Sequence, residues 1–306
     1  MVNKEENSLN SNVLDLLKQK ILVIDGAMGT MLQANGMKSG ECPELWNINH
    51  PEIVKQIHTS YLEAGADIIL TNTFGANGVK LLKLKQQDRL KEINKQAVKI
   101  AREAAEEYME KYSNQVFIAG SVGPTGEILQ PIGPLKTEEA YQGYEDQIKE
   151  MASTGVDMIL LETFYDLSEI KLALKAVKEN TDLPVFASMS FDDSKKTIYG
   201  ITPERAVEEL FKEEADGVGA NCGSGPKLLY EIMTRMRTIT DSLLLVEPNA
   251  GMPYLKDNRV VYPATPEEMA EYAEKFVKLK VNIIGGCCGT TPEHIKAIAK
   301  IVKENK

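Results

Sequence analysis

Eight times along this chain, a short β-branched or leucine-rich run ends in a polar or glycine turn and gives way to an amphipathic helical stretch. The runs are Ile21–Asp25, Asp67–Thr71, Val116–Gly120, Asp157–Glu162, Pro184–Ser190, Gly217–Asn221, Leu243–Glu247 and Val281–Gly285. They are continuous apolar runs, the pattern of strands covered on both faces by helices. Helix signals fill the intervals. Pro51 opens a helix over Glu52–Ala64 and Gly65 stops it, the expected places for these two residues. Thr202-Pro203-Glu204, Thr265-Pro266-Glu267 and Thr291-Pro292-Glu293 read as three N-caps of one type. Eight strand–helix units in 306 residues predict an α/β fold of the (β/α)8 TIM-barrel class, since a doubly wound sheet would need fewer strands or a second domain. The expected division is a tail and leading helix over residues 1–20, with a mobile polar start, then a single barrel over 21–306.

Composition narrows the function. A hydrophobic content of 43% suffices for a full core. Forty-five acidic against 35 basic residues argue against a nucleic-acid partner, which needs a basic footprint. Apolar runs such as Met158-Ile159-Leu160-Leu161 are far too short to span a bilayer. With four cysteines and no apolar leader ending in small residues, the chain is expected to be cytoplasmic, where structural disulfides are rare.

A barrel does its chemistry at the C-terminal ends of its strands. Those positions hold Asp25, Thr71-Asn72-Thr73-Phe74, Gly120-Ser121-Val122-Gly123, Glu162-Thr163, Ser188–Asp192, Cys222, Glu247-Pro248-Asn249 and Cys287-Cys288. His50, His58 and His294 fall elsewhere, as surface or packing residues, so a histidine-based nucleophilic triad is not expected. Glycines between Gly120 and Gly133 lack dinucleotide spacing. Three of the four cysteines, Cys222, Cys287 and Cys288, stand where a strand runs into a glycine-rich loop. Cys42 follows no strand end and reads as a bystander, and neighbouring Trp46 as a packing residue.

Buried cysteine is often a small core residue, and adjacent cysteines bond to each other only with strain. Placement at two strand ends favours a third reading, a tri-thiolate metal site with its fourth position open. Zinc held by three thiolates carries net charge −1. It suits binding another thiol, and keeping that sulfur electron-rich, better than hydrolysis.

The strings Asp25-Gly26-Ala27-Met28-Gly29-Thr30, Thr71-Asn72-Thr73-Phe74-Gly75, Glu162-Thr163, Asn221-Cys222-Gly223 and Gly285–Pro292 resemble the homocysteine S-methyltransferase family. Within it they are most similar to the homocysteine-binding domain of cobalamin-dependent methionine synthases. The resemblance runs from about Leu22 to the C-terminus. It implies zinc on Cys222, Cys287 and Cys288, with L-homocysteine as methyl acceptor and methionine as product. It further implies that Asp25 and Glu162 fix the amino-acid part of the substrate, and that Asn249 approaches the metal when substrate is absent. Ser121 and Thr73 are added as substrate-binding candidates, with N–H groups near Ser121-Val122-Gly123 for the carboxylate. The resemblance also implies methylcobalamin on a separate corrinoid-binding protein or module as donor, because the chain ends at Lys306 after one barrel. A stand-alone enzyme using S-methylmethionine or betaine is the alternative. A non-catalytic zinc or thiol-binding module is the reading of another class.

Overall fold

The structure, a computed structural model, describes residues 12–256 and 259–305. The polar start expected to be mobile lies, over residues 1–11, outside the described residues. Eight parallel strands form one sheet: β1 Leu22–Val23, β2 Ile68–Leu70, β3 Phe117–Val122, β4 Met158–Phe164, β5 Val185–Met189, β6 Gly217–Cys222, β7 Leu243–Pro248 and β10 Ile283–Ile284. Each overlaps one of the eight runs read from the sequence. The hydrogen-bonded order β1-β10-β7-β6-β5-β4-β3-β2 is closed by a parallel bridge between Ile24 and Ile68, which makes the sheet a (β/α)8 barrel.

That closing seam has its own construction. Asp25 N–H donates to Ile68 O at 3.0 Å and Asp67 N–H to Val23 O at 2.7 Å. The two aspartate side chains also reach across: Asp25 Oδ2 accepts from Leu70 N–H at 3.0 Å, and Asp67 Oδ2 from Val23 N–H at 2.9 Å.

Strand side chains alternate between two cores, as the pleat requires. Leu22, Ile24, Ile68, Phe117, Met158, Leu160, Phe186, Leu245 and Ile283 fill the barrel interior. Their neighbours Val23, Ile69, Ile118, Ile159, Leu161 and Val246 pack outward against the helices. The leading helix Val13–Leu17, capped by Asn12 Oδ1 on Leu14 N–H, places Val13 and Leu17 in the interior cluster.

The helix signals are built largely as read. Pro51–Glu63 begins at its proline and is followed by Gly65 at φ 104°. Thr202 and Thr265 accept from Arg205 and Glu268 N–H. At the third cap, His294 Nδ1 accepts from Thr291 N–H while its Nε2 lies 3.0 Å from Ala264 O, which fixes the Nε2–H tautomer. An antiparallel ribbon, β8 Tyr254–Lys256 with β9 Arg259–Val261, stands outside the barrel between β7 and the helix Pro266–Lys278. Sequence reading assigned no element there. No helix among the described residues is long and apolar enough to cross a membrane.

Candidate active site

A cleft of about 460 Å3 opens at the C-terminal mouth of the barrel. Its walls include Cys222, Cys287 and Cys288, Glu162 and Glu247, Ser121, and the apolar faces of Met28, Leu70, Phe74 and Pro124.

The three thiols converge by leaving regular structure. Cys222 ends β6 with φ 66°, a left-handed backbone that costs a non-glycine residue roughly 1–2 kcal/mol, and Gly223 follows at φ 72°. Cys287 and Cys288 follow β10 in a turn closed by Thr290 N–H on Cys287 O at 3.1 Å. Gly289 there has φ 81°, and a Cβ on it would lie 2.0 Å from Tyr262 Cγ, so only glycine fits beneath that ring. The turn is tied to the barrel by Cys287 N–H on Pro248 O and Ala250 N–H on Cys288 O, both 2.9 Å. All three sulfurs lie within 4.8 Å of one another, with Cys287 and Cys288 Sγ 4.0 Å apart. Tetrahedral zinc with Zn–S bonds of about 2.3 Å sets its sulfurs roughly 3.8 Å apart, so this donor set fits that ion. Protons are shared within the trio. Hydrogen bonds from Cys287 and Cys288 draw Cys222 down to about 3; the contact with Cys222 and burial push Cys288 up to about 12 against an opposing contact with Cys287, and the contacts with Cys222 and Cys288 raise Cys287. Cys42 stands apart, its thiol donating to Glu44 Oε2 at 3.0 Å.

Asn249 adjoins this group. Its amide bonds to Cys222, its Nδ2 donates to Gly223 O at 2.6 Å, and its Oδ1 is buried without a partner among the described residues.

Two of the acids, Glu162 and Glu247, continue the alternating rows of their strands, Glu162 at the point where the β4–β5 register shifts. Met158, Leu160 and Glu162 form one inward-facing row on β4, Phe117, Ala119 and Ser121 another on β3, and Leu243, Leu245 and Glu247 a third on β7. Apolar residues fill the lower layers of these rows and polar ones the mouth layer. Ser121 Oγ donates to Glu162 Oε1 at 2.5 Å. Burial raises Glu162 to about 7, the nearby Cys222 charge adds to the rise, and the serine opposes it. Burial likewise raises Asp25 and Glu247, and each feels the negative charge of Glu162. Asp25 is 1% exposed, one residue before Gly26 on the cleft wall. Among the described residues, none of these three acids has an ion-pair partner, and no lysine or arginine lines the cleft.

Two expectations are corrected here. Thr73 does not line the cleft: its hydroxyl donates to Ser121 O at 2.7 Å and meets Thr71 Oγ1 at 2.6 Å, bracing β2 against β3. Nor are the N–H groups flanking Val122 open to a carboxylate. Ser121 N–H is held by Thr71 Oγ1 at 3.1 Å and Gly123 N–H by Phe74 O at 2.9 Å. Glu247, read from sequence only as a rim residue, is the addition. Its spacing of two from Leu245 and four from Leu243 was the available signal.

Comparison with known proteins adds a family match. A family model described as homocysteine S-methyltransferase matches residues 22–302. The methionine synthase of Mycobacterium tuberculosis (strain ATCC 25618 / H37Rv) is 31% identical over 318 residues, covering 100% of this chain and 26% of its own length. That of Mycobacterium leprae (strain TN) is 30% identical over 309 residues, covering 97% of this chain and 26% of its own. The chain thus spans about a quarter of the length of these curated relatives. Among solved structures, the metallated form of the homocysteine methyltransferase MmuM from Escherichia coli has a TM-score of 0.79 at 24% identity, covering 93% of this chain and 97% of that one. That likeness supports the fold.

Proposed function

The chain belongs to the homocysteine S-methyltransferase family, and we propose that it accepts a methyl group onto the sulfur of L-homocysteine to give methionine. One observation carries the reading: a single cleft joins three thiols within 4.8 Å of each other to buried acids that have no cationic partner among the described residues. A thiol and an ammonium on one small molecule match those two surfaces.

In this reading Cys222, Cys287 and Cys288 hold zinc, with the remaining position turned to the cleft. When bound, zinc supplies a Lewis acid that brings a substrate thiol, whose free pKa is about 8.5, to the thiolate near neutral pH. The protein's own groups do the rest. Glu162 and Asp25 take the ammonium and fix the amino-acid end. Ser121 holds Glu162 by the hydrogen bond to Oε1 and so sets the direction of its second oxygen. Asn249, beside Cys222, is the group that approaches the metal in the substrate-free state. Met28, Phe74 and Pro124 cover the methylene chain and keep water from the sulfur. Methylcobalamin carried by a partner protein or module is the donor in this proposal, and the reaction is cytoplasmic. S-methylmethionine and betaine are the competing donors, and methionine formation assayed with all three side by side decides among them.

A non-catalytic thiol or zinc module would need the cysteines but not the buried acids, which is why the transferase reading is preferred. The test is calorimetry in buffers of different ionisation enthalpy, paired with X-ray absorption at the zinc edge. Homocysteine should release close to one proton per site and add one sulfur to the metal shell. An unchanged sulfur count with no proton release would require the proposal to be abandoned.

A further inference from the structure

Glu247 ends the inward row of β7 at the floor of the cleft and is 1% exposed. Its Oε2 is buried with no hydrogen-bond partner among the described residues, and so is Asp25 Oδ1. Glu162 borders the same cleft, its Oε1 already held by Ser121. The three carboxyl groups lie near enough for the charges of Glu162 and Asp25 to repel that of Glu247. Gathering acids without a cation is unfavourable, and buried acceptors are nearly always matched by donors. Such a group is therefore incomplete without a cationic donor. A primary ammonium brings one positive charge and three N–H donors.

We propose that Glu247 is a third ligand of the substrate ammonium, completing with Asp25 and Glu162 a seat in which each carboxyl group accepts one N–H. The inference rests on the homocysteine reading above and extends it from the identity of the acceptor to its specificity. A seat of this kind selects for a primary amine. A thiol of the same length without the amine leaves three acceptors unmatched, and an N-methyl amine leaves one.

The experiment is calorimetric titration of the zinc-loaded full chain with L-homocysteine, N-methyl-L-homocysteine and 4-mercaptobutanoate. The parent should bind L-homocysteine at least about tenfold more tightly than either analogue, the effect of one lost charge-assisted hydrogen bond. Glu247→Gln, close in shape, should weaken L-homocysteine by about tenfold and leave 4-mercaptobutanoate within roughly twofold of the parent, so that discrimination narrows. Undiminished homocysteine binding by the variant overturns the inference, and so does equal weakening of homocysteine and 4-mercaptobutanoate. The parent alone provides a check independent of the variant's folding, since equal affinity for homocysteine and its N-methyl form also overturns it. A parent that binds zinc but none of the three thiols would bring down the homocysteine reading itself. A parent that binds all three thiols alike would leave thiol binding standing and remove only the ammonium seat.

Discussion

The thiol side of the cleft and its carboxyl side are built by different means. Cys222 takes a left-handed backbone, and Cys287 and Cys288 sit in a turn closed by Gly289, so the sulfurs are brought together by departures from regular structure. Glu162 and Glu247 continue the inward rows of β4 and β7: Glu247 is still in register with Asn221, and Glu162 is the last of its row, where the β4–β5 register shifts between Leu161 and Phe164. The thiols hydrogen-bond to one another, whereas Asp25 and Glu247 each retain an oxygen unmatched among the described residues. One side is self-sufficient until a soft metal ion displaces its protons. The other is held at a cost in solvation until a donor arrives. The two should therefore fail independently.

The largest expected effect lies on the thiol side. Cys288→Ala should reduce zinc from one per chain to none retained after dialysis, with far-UV circular dichroism unchanged, because the rim bears no core layer. Full metal occupancy in that variant would dissolve the distinction between the sides. On the carboxyl side, the rise of Glu162 from 4.5 to about 7 makes a signed prediction for the zinc-free protein. Below about pH 4.5 the acid is protonated folded or unfolded. Between there and about pH 7 only the unfolded chain ionises, so the group's contribution to stability falls by up to about 3 kcal/mol. Denaturant unfolding of the parent and Glu162→Gln across that range should reveal a difference that declines with rising pH, and a flat difference would mean the acid titrates as in water. The same variant should bind homocysteine more weakly by about 1.5–3 kcal/mol with zinc content unchanged, read by calorimetry and metal analysis. Loss of zinc along with homocysteine would show that the two sides are one unit. Smallest is the control: Thr202→Ala removes the N-cap of Pro203–Lys212 and should lower stability by about 1 kcal/mol while sparing both ligands.

What the sequence makes legible follows the same division. All eight barrel strands can be read because burial on both faces writes a continuous apolar run into each. The cysteines can be read because their backbone needs glycine neighbours, which mark the loop as Gly285-Gly286-Cys287-Cys288-Gly289. Side-chain direction is harder. Thr73 and Ser121 lie in similar strand-end strings, yet Thr73 turns behind the wall and Ser121 onto it, a difference set by the Thr71 and Ser121 hydrogen bonds and not by residue type. The ribbon of β8 and β9 escapes a periodicity reading because Leu255 is 75% and Val260 57% exposed, so no buried face shapes its sequence.

The seam between β1 and β2 turns the barrel into a hoop with a clasp. Asp25 is half of that clasp: one of its oxygens closes the circle on Leu70 while the other is buried with no hydrogen-bond partner among the described residues. A cation drawn to that second oxygen pulls on the same carboxyl group that latches the hoop. In the proposed seat, occupancy of the mouth would therefore bear on one of the hydrogen bonds that close the ring. The amide hydrogen of Leu70, which donates to that latch, is where such a coupling should be read, as slower exchange with solvent when homocysteine is bound.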